Sequence, residues 1–293
     1  MSTDFKSGFV AVIGRPNAGK STLINSIVKQ KISIVSDKPQ TTRTRVMGIH
    51  TTENVQIVFL DTPGIHKPKT KLGEKMMNAA TGSLSEVDAI CYIIDASEKP
   101  GPGEQYIIEM LKKAKAPVIL LINKIDRTDE ATIFALPAKL NFDFAHVLPI
   151  SALKGNNLDK LESLLSEMLP IGPKYFPDDM VTDQPERLIV AEIIREKILN
   201  NTTDEIPHSI AVDIDEIKYR DNGMMYCRAT IYVERDSQKG IIVGSNGSML
   251  KLVGQQARIE AEALLGCKIY LDLWVKVKRD WRDVDGSLKT LGF

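Results

Sequence analysis

The chain has 293 residues, more than one ordinary α/β domain needs and about right for two. Hydrophobic residues make up 43% and charged residues 26%, a balance that excludes a disordered or fibrous protein. Lys plus Arg and Asp plus Glu both number 38, so the formal net charge is zero. A nucleic acid or an anionic membrane would therefore have to bind a local basic patch.

The three cysteines, Cys91, Cys227 and Cys267, are widely spaced and form no CxxC pair. This pattern favours neither a disulfide framework nor a zinc site, so we expect a reducing, cytoplasmic location. Asp4 precedes only a short apolar run, which is typical of a buried strand and not of a signal peptide. The sequence contains no run of about eighteen apolar residues, so we expect no transmembrane helix.

Apolar runs of strand length recur along the first half, and each is followed by a loop and a helix-like segment. The runs are 9–13, 55–60, 89–95, 117–123 and 146–150. This alternation predicts an α/β domain, with a mostly parallel sheet and helices on both faces.

A segment rich in Pro, Gly and Asp follows the predicted helix 158–168. We therefore predict a first domain over 1–173 and a linker over 174–185. The second half begins with a helix over 186–200 and two strands, 209–219 and 225–234; helices around Gly244 and a strand over 268–278 follow. These elements predict a small α+β domain over 186–282, followed by a tail over 283–293.

Residues 14–21, GRPNAGKS, match GxxxxGK[ST] between a predicted strand and a predicted helix, which is the context that a P-loop requires. Glycines let backbone N–H groups turn toward phosphate oxygens, Lys20 reaches the β- and γ-phosphates, and the Ser21 hydroxyl binds Mg²⁺. The predicted phosphate-binding residues are Gly14, Arg15, Pro16, Asn17, Ala18, Gly19, Lys20, Ser21 and Thr22.

The motif NKID at 123–126 ends an apolar strand and separates GTP from ATP. Asp126 can accept hydrogen bonds from N1 and N2 of guanine, Lys124 can lie along the base, and Asn123 can tie this loop to the P-loop. A backbone N–H after the next strand can bind the guanine O6 oxygen. The predicted guanine-binding residues are Asn123, Lys124, Ile125, Asp126, Ser151, Ala152 and Leu153.

The motif DTPG follows the strand 55–60, so Asp61 is placed to orient the water shell of Mg²⁺ and the Gly64 N–H to sense the γ-phosphate. Together the motifs resemble those of the translation-factor class of GTPases. By that resemblance Thr42 closes on Mg²⁺ in the first switch, and the alternative is a solvated loop threonine. The nucleotide-binding residues predicted here are Asp61, Thr62, Pro63, Gly64 and Ile65, and the predicted catalytic residues are Lys20, Thr42, Asp61 and Gly64.

Ile65 occupies the position at which Ras-like GTPases carry a water-orienting glutamine. With Asn17 in the P-loop, this resembles GTPases in which the P-loop asparagine helps to hold a potassium ion. We therefore expect slow hydrolysis that K⁺ stimulates, with Asn17 as a K⁺ ligand and Thr41 as a second candidate.

Residues 241–250, IIVGSNGSML, contain a GxxG loop between apolar segments. The element order of this half resembles the type II KH topology, in which that loop clamps single-stranded nucleic acid. Ser245 and Asn246 stand where KH loops often carry basic residues, and a glycine turn between two core helices is the alternative. The predicted RNA-binding residues are Lys239, Ile241, Ile242, Val243, Gly244, Ser245, Asn246, Gly247 and Lys251.

A basic cluster near the C-terminus could extend the nucleic-acid surface, bind an anionic membrane or be a solvated tail with one core tryptophan. Its residues are Lys276, Lys278, Arg279 and Arg282, beside Trp274 and Trp281.

The G motifs, the KH pattern and the run ERDSQKG at 234–240 together resemble the bacterial Era family. The resemblance implies GTP and GDP as ligands with Mg²⁺, binding near the 3′ end of small-subunit rRNA, a role in small-subunit assembly, and loose association with the inner face of the cell membrane. We expect a monomer without a stable protein partner. The rival hypotheses are a membrane-signalling GTPase whose second domain binds protein or lipid, and a non-catalytic RNA scaffold.

Overall fold

The computed structural model describes residues 5–38, 40–204 and 206–293. The chain divides into two compact units. The first unit comprises Met1–Ser33, Thr42–Pro68 and Gly73–Asp183, and the second comprises Ile34–Thr41, Lys69–Leu72 and Gln184–Phe293.

The first unit is built on a six-stranded sheet of order β2-β3-β1-β4-β5-β6. β2 runs antiparallel to β3, and the other neighbours are parallel. The strands are β1 (Lys6–Ile13), β2 (Val46–Thr51), β3 (Val55–Asp61), β4 (Ala89–Asp95), β5 (Val118–Asn123) and β6 (His146–Pro149). The helices are α1 (Lys20–Val28), α2 (Lys71–Gly82), α3 (Pro102–Leu111), α4 (Glu130–Leu140) and α5 (Leu158–Met168). The first two residues of α2, Lys71 and Leu72, group with the second unit.

The central strands are mostly apolar because helices cover both faces of the sheet. Every residue of β3 and β5 is buried. One apolar cluster joins Leu23 of α1 and Leu161 of α5 to one face. Another joins Ile107 of α3 and Leu136 of α4 to the other face. The predicted α/β fold class is confirmed, and the loops that leave the carboxyl ends of the parallel strands gather at one edge of the sheet.

The second unit contains a three-stranded sheet of order β7-β8-β9, with β7 antiparallel and β9 parallel to β8. Its elements are α6 (Glu186–Asn201), α7 (Ile206–Ser209), β7 (Ala211–Tyr219), β8 (Met225–Val233), α8 (Asp236–Val243), α9 (Ser248–Leu265), β9 (Ile269–Val277) and α10 (Asp285–Thr290). The order of α6, β7, β8, α8, α9 and β9 is the predicted α+β order, with the short helices α7 and α10 added.

Residues 34–41 belong to the second unit although they lie between α1 and β2 in the chain. Ile34 is buried in the apolar core of that unit. The Val35 N–H donates to Glu196 Oε1 at 2.9 Å, and Arg195 of α6 donates to the Thr41 carbonyl. Thr41, the neighbour of the predicted switch residue Thr42, is therefore held by α6.

Residues 174–183, most of the predicted linker, group with the first unit. Gln56 of β3 accepts hydrogen bonds from the N–H groups of Tyr175 and Phe176, at 2.7 and 3.0 Å. The Ile49 N–H of β2 donates to the Val181 carbonyl at 2.9 Å. Only Gln184 and Pro185 of the predicted linker belong to the second unit.

Within the described ranges, no helix has both the length and the apolar character needed to cross a membrane.

Candidate functional site

The loop between β1 and α1 needs its glycines for both conformation and space. Gly19 has φ 103°, and a Cβ there would lie 2.2 Å from Asn123 Nδ2. A Cβ on Gly14 would lie 2.3 Å from the Ile93 carbonyl oxygen. In the described chain no side chain caps the N-terminus of α1, so its first N–H groups are available to an anion.

Lys20 lies in the centre of this loop with 5% of its surface exposed. Its Nζ donates to the carbonyl oxygens of Gly14 at 3.2 Å and Arg15 at 2.9 Å. Burial lowers the pKa of Lys20 to about 8, while the carboxylate of Asp61 opposes that shift. Lys20 therefore stays mostly protonated at neutral pH, and a polyphosphate would add counter-charge to that of Asp61.

Three oxygen-bearing side chains meet beside Lys20. Ser21 Oγ donates to Asp61 Oδ2 at 2.8 Å and lies 2.9 Å from Thr42 Oγ1. Asp61 is fully buried, and burial raises its pKa although Lys20 and the Ser21 hydroxyl oppose the shift. Among the described side chains, Asp61 Oδ1 is a buried acceptor without a hydrogen-bond partner. This oxygen-only cluster suits a hard divalent cation and its bound water.

Ile65, after the DTPG motif, is anchored in the core. Its N–H donates to the Gly14 carbonyl at 3.0 Å, and its side chain is 1% exposed within the cluster that α2, α3 and α4 share. A Cβ on Gly64 would lie 2.7 Å from the Pro16 backbone, so that position also requires glycine. An apolar side chain fixed in this way cannot hydrogen-bond an attacking water.

Asn123 joins three loops at the end of β5. Its Nδ2 donates to the Ala18 carbonyl at 2.8 Å, and its Oδ1 accepts from the Ala152 N–H at 2.9 Å. Ser26 of α1 donates to the Ala152 carbonyl at 2.7 Å, which adds a further tie. The structure therefore brings the P-loop, the NKID loop and the Ser-Ala loop together.

Asp126 is exposed and accepts a hydrogen bond from Ser151 Oγ at 2.5 Å. That hydrogen bond is the main cause that holds the pKa of Asp126 below its usual range, so the carboxylate stays ionised in neutral and mildly acidic solution. Leu153 is 65% exposed beside it. An ionised, accessible acceptor matches the two N–H donors of a guanine edge.

Asp95 belongs to none of the sequence motifs and was not predicted as a site residue. Lys124, at φ 66°, donates to Asp95 Oδ2 at 2.5 Å, so this carboxylate orients the lysine that is predicted to lie along the base. Its position could have identified it, because Asp95 ends β4 at the same edge of the sheet as the other motifs.

The remaining predicted nucleotide-binding residues have varied surroundings. Thr62 is buried and donates to the Val12 carbonyl at 2.8 Å, while Ile125 packs against the core. Arg15 forms ion pairs with Glu98 and Glu104. The others, Pro16, Asn17, Thr22 and Pro63, lie in or next to the loops already described.

The GxxG loop of the second unit connects α8 to α9. Gly244, Asn246 and Gly247 have positive φ angles of 72°, 50° and 78°. In the described chain the N-terminus of α9 has no side-chain cap, so its first N–H groups are available at the loop. A Cβ on Gly244 would lie 2.8 Å from Met249 Cβ, whereas one on Gly247 would have no atom within 4 Å.

The predicted RNA-binding residues divide into exposed and buried ones. The side chains of Lys239, Ile241 and Lys251 are exposed, as are those of Ser245 and Asn246 in the loop. Ile242 is fully buried in the apolar core of the second unit. The prediction that Ile242 contacts RNA is therefore corrected: the helical period of α8 turns this side chain inward. Val243 is partly buried against the same core.

The basic C-terminal cluster is partly neutralised. Arg282 binds Glu234 through Nε at 2.9 Å and Nη2 at 2.5 Å. Trp281 is fully buried and donates from Nε1 to the Ser209 carbonyl at 2.9 Å, whereas Trp274 is 55% exposed. Trp281 is therefore a core residue.

Two family models match this chain. Residues 9–124 match a family described as "50S ribosome-binding GTPase", and residues 205–282 match the KH domain family. A solved structure of Era in complex with MgGDPNP and nucleotides 1506–1542 of 16S ribosomal RNA is 45% identical, with a TM-score of 0.94. A structure of a variant of Aquifex aeolicus Era bound to GDP and AlF4⁻ is 44% identical, with a TM-score of 0.94. Each comparison covers 98% of this chain and 99% of the other chain.

Proposed function

This chain belongs to the Era family, and from that premise we propose that it binds and hydrolyses GTP and binds RNA near the 3′ end of small-subunit rRNA. The observation that carries the GTPase part is the oxygen cluster of Ser21, Thr42 and Asp61 beside the Lys20 loop. The RNA part rests on the KH loop at the N-terminus of α9 and on the complex of the related Era with 16S rRNA.

Residues of the first unit bind and orient the triphosphate. The N–H groups at the start of α1 and the Lys20 ammonium bind phosphate oxygens. Ser21 and Thr42 would hold Mg²⁺ directly, and Asp61 would hold it through a water. When bound, Mg²⁺ neutralises charge on the β- and γ-phosphates.

Hydrolysis breaks the bond between the γ-phosphorus and the bridging oxygen after a water attacks in line, giving GDP and inorganic phosphate. The Gly64 N–H and Lys20 stabilise charge on the γ-phosphoryl oxygens. Because Ile65 lies in the core, no side chain at that position orients the water. We therefore propose slow intrinsic hydrolysis.

We also propose that K⁺ stimulates this hydrolysis through Asn17. Asn17 is exposed with φ 63°, a conformation that glycine adopts at no cost. The Asn17→Gly variant therefore removes the side chain and leaves the loop conformation accessible. We expect wild-type GTP turnover to be several-fold faster in KCl than in NaCl, and the variant to lose this difference. Equal wild-type rates in the two salts would reject the K⁺ proposal.

The experiment that tests the RNA part measures binding of the full chain to a labelled single-stranded RNA that matches the 3′ end of small-subunit rRNA. The protein carries a non-hydrolysable GTP analogue, GDP or no nucleotide. We expect tight, salt-sensitive binding that is strongest with the GTP analogue. No binding in any state would favour the rival signalling GTPase, whose second unit binds protein or lipid.

The structure selects the variant that should accompany this measurement. Gly247→Asp places a carboxylate in the GxxG loop without a steric clash, whereas Gly244→Asp would collide with Met249. We expect Gly247→Asp to lower RNA affinity at least tenfold by charge repulsion while GTP turnover stays unchanged. Gly247→Ala is the matched control, because it shares the backbone strain and lacks the charge.

The family resemblance further supports a role in small ribosomal subunit assembly, with a cytoplasmic location and loose contact with the inner face of the membrane. Cell fractionation with and without ribonuclease tests the location. We expect most of the protein to co-sediment with small ribosomal subunits.

A further inference from the structure

The three-stranded sheet of the second unit has one face that the helices leave uncovered. Along β8, residues 225, 227, 229, 231 and 233 are fully buried in the core. Since side chains alternate along a strand, Tyr226, Arg228 and Tyr232 point to the opposite side. Tyr270 and Trp274 of β9 are 54% and 55% exposed. We name this surface the open sheet face, and it comprises Arg220, Tyr226, Arg228, Tyr232, Tyr270, Trp274, Lys276 and Lys278.

Strand pairing places the aromatic residues of the open sheet face side by side. Tyr226 pairs with Tyr270 and Thr230 pairs with Trp274 in the parallel β8–β9 register. The two tyrosine rings lie 5.9 Å apart with an interplanar angle of 15°. Tyr270 and Trp274 are four residues apart, about 13 Å along β9. The face therefore offers two separate aromatic surfaces on which flat groups could stack.

Cations accompany these rings. The Arg220 guanidinium lies 5.7 Å from the Tyr226 ring centre and 5.6 Å from that of Tyr270. Arg228 lies 5.8 Å from Tyr226. Within the described parts of the chain Arg220 forms no ion pair, so its charge is available to a ligand. Lys278 lies 5.4 Å from the Tyr232 ring.

The acidic groups near these rings already have partners. Asp272 accepts hydrogen bonds from Tyr226 and Arg228 at 3.1 and 3.2 Å. On β7, Asp215 accepts from Thr230 at 2.7 Å. Arg228 and Asp272 cancel one another, and Asp213 pairs with Arg187. The neutral Thr230 hydroxyl leaves Asp215 charged, but Arg220, Lys276 and Lys278 outnumber it on this face. The excess charge beside the rings is therefore positive, which complements a phosphate backbone.

We propose that the open sheet face is a second single-stranded RNA site, in which bases stack on Tyr270 and Trp274 and Arg220 binds phosphate or stacks on a base. Exposed aromatic rings with neighbouring cations bind single strands with little sequence preference. This site is separate from the GxxG loop and extends the RNA-binding function proposed above, on which it rests.

The tryptophan content of the chain provides a direct test. The protein has two tryptophans; Trp281 is fully buried and Trp274 is half exposed. Quenching of tryptophan emission by RNA therefore reports on Trp274. The experiment titrates the full-length protein with a twelve-nucleotide oligouridylate at low salt and follows the emission.

We expect saturable quenching in the wild type and none in Trp274→Phe. Tyr270→Ala and Arg220→Ala should weaken the binding about tenfold or more, because each removes a stacking or charged group. Tyr106→Ala, which removes a 48% exposed tyrosine of the first unit, is the matched control and should change nothing. Melting temperatures establish that each variant is folded.

The Gly247→Asp variant separates this site from the KH loop. We expect it to lower the affinity for the rRNA 3′-end oligonucleotide at least tenfold and to keep oligouridylate quenching. If the wild type failed to bind the rRNA oligonucleotide but still showed quenching, only the proposed rRNA target would be wrong. The open-face proposal is overturned if the wild type shows no saturable quenching, if Tyr270→Ala quenches like the wild type, or if Gly247→Asp abolishes the signal.

Discussion

At the scale of single residues, a few polar side chains of the first unit hold the loops of the candidate nucleotide site in place. Asn123 ties the P-loop to the Ser-Ala loop through both ends of its amide. Ser151 orients Asp126 and keeps it ionised. The sequence motifs predicted these residue types because each role needs a particular donor or acceptor. The motifs did not identify Asp95, the partner of Lys124, because Asp95 belongs to no motif.

Asp126 provides a prediction about base specificity. Its carboxylate is predicted to accept from two guanine N–H groups, whereas the amide of the Asp126→Asn variant also presents a donor. We expect GTP affinity to fall about 100-fold or more, since hydrogen bonds to a charged group are worth about 1.5–3 kcal/mol each. Binding of xanthosine triphosphate, which has a carbonyl in place of the guanine amino group, should improve. Competition with a fluorescent GTP analogue measures both.

The matched control is Asp129→Asn. Asp129 caps α4 by accepting from the Thr132 N–H at 2.8 Å, and asparagine is an equally good cap. Nucleotide affinity should not change in this variant. Unchanged GTP affinity in Asp126→Asn would show that the carboxylate does not contact the base.

At the scale of elements, apolar runs predicted the parallel strands because those strands are buried on both faces. β2 was not predicted, because Gly48 and His50 interrupt its apolar pattern. A Cβ on Gly48 would lie 2.5 Å from Ile24 of α1, so packing, and not strand propensity, explains the glycine. Residues 34–41 group with the second unit and residues 174–183 with the first. Both groupings depend on contacts with residues far away in the sequence, which no local pattern encodes.

The Gln56 side chain holds residues 175 and 176 against β3 through hydrogen bonds to their backbone. It is fully buried, and its Nε2 donates to the Phe176 carbonyl at 2.9 Å while its Oε1 accepts from two N–H groups. We expect Gln56→Leu to destabilise the attachment of residues 174–176 by about 2 kcal/mol, because it leaves buried backbone groups without partners. Hydrogen exchange at the Tyr175 and Phe176 amides should accelerate about 30-fold.

The exposed Gln105 of α3 is the control for this substitution. Gln105→Leu should leave exchange at both amides unchanged, because surface substitutions rarely exceed about 0.5 kcal/mol. Equal exchange rates in wild type and Gln56→Leu would mean that the side-chain bonds contribute nothing to the attachment.

At the scale of the whole molecule, the chain passes from the second unit to the first at the peptide bond between Thr41 and Thr42. Thr42 lies in the oxygen cluster that is predicted to hold Mg²⁺, and the Thr41 carbonyl accepts from Arg195 of α6. A change at the nucleotide is therefore one residue away from a segment that is packed in the RNA-binding unit. This continuity gives a physical route by which the nucleotide state could alter RNA affinity.

Glu196 tests that route. Glu196→Ala removes the acceptor for the Val35 N–H, whereas Glu196→Gln retains an oxygen acceptor. We expect the alanine variant to bind RNA with similar affinity, within about threefold, in the GTP-analogue and GDP states, while its GTP affinity stays normal. The glutamine variant should keep most of the wild-type difference. A full nucleotide dependence in Glu196→Ala would rule out this contact as the coupling element.

The attachment of residues 174–183 also protects the solubility of the first unit. β2 is an edge strand of the six-stranded sheet, and its outer side bonds to Val181 and Thr182. Unpaired strand edges favour intermolecular pairing and aggregation. A GTPase fragment that ended at residue 173 would therefore expose a bare edge beside the apolar cluster of Ile49, Val58 and Leu60. A fragment that ended at residue 183 would carry its own edge cover.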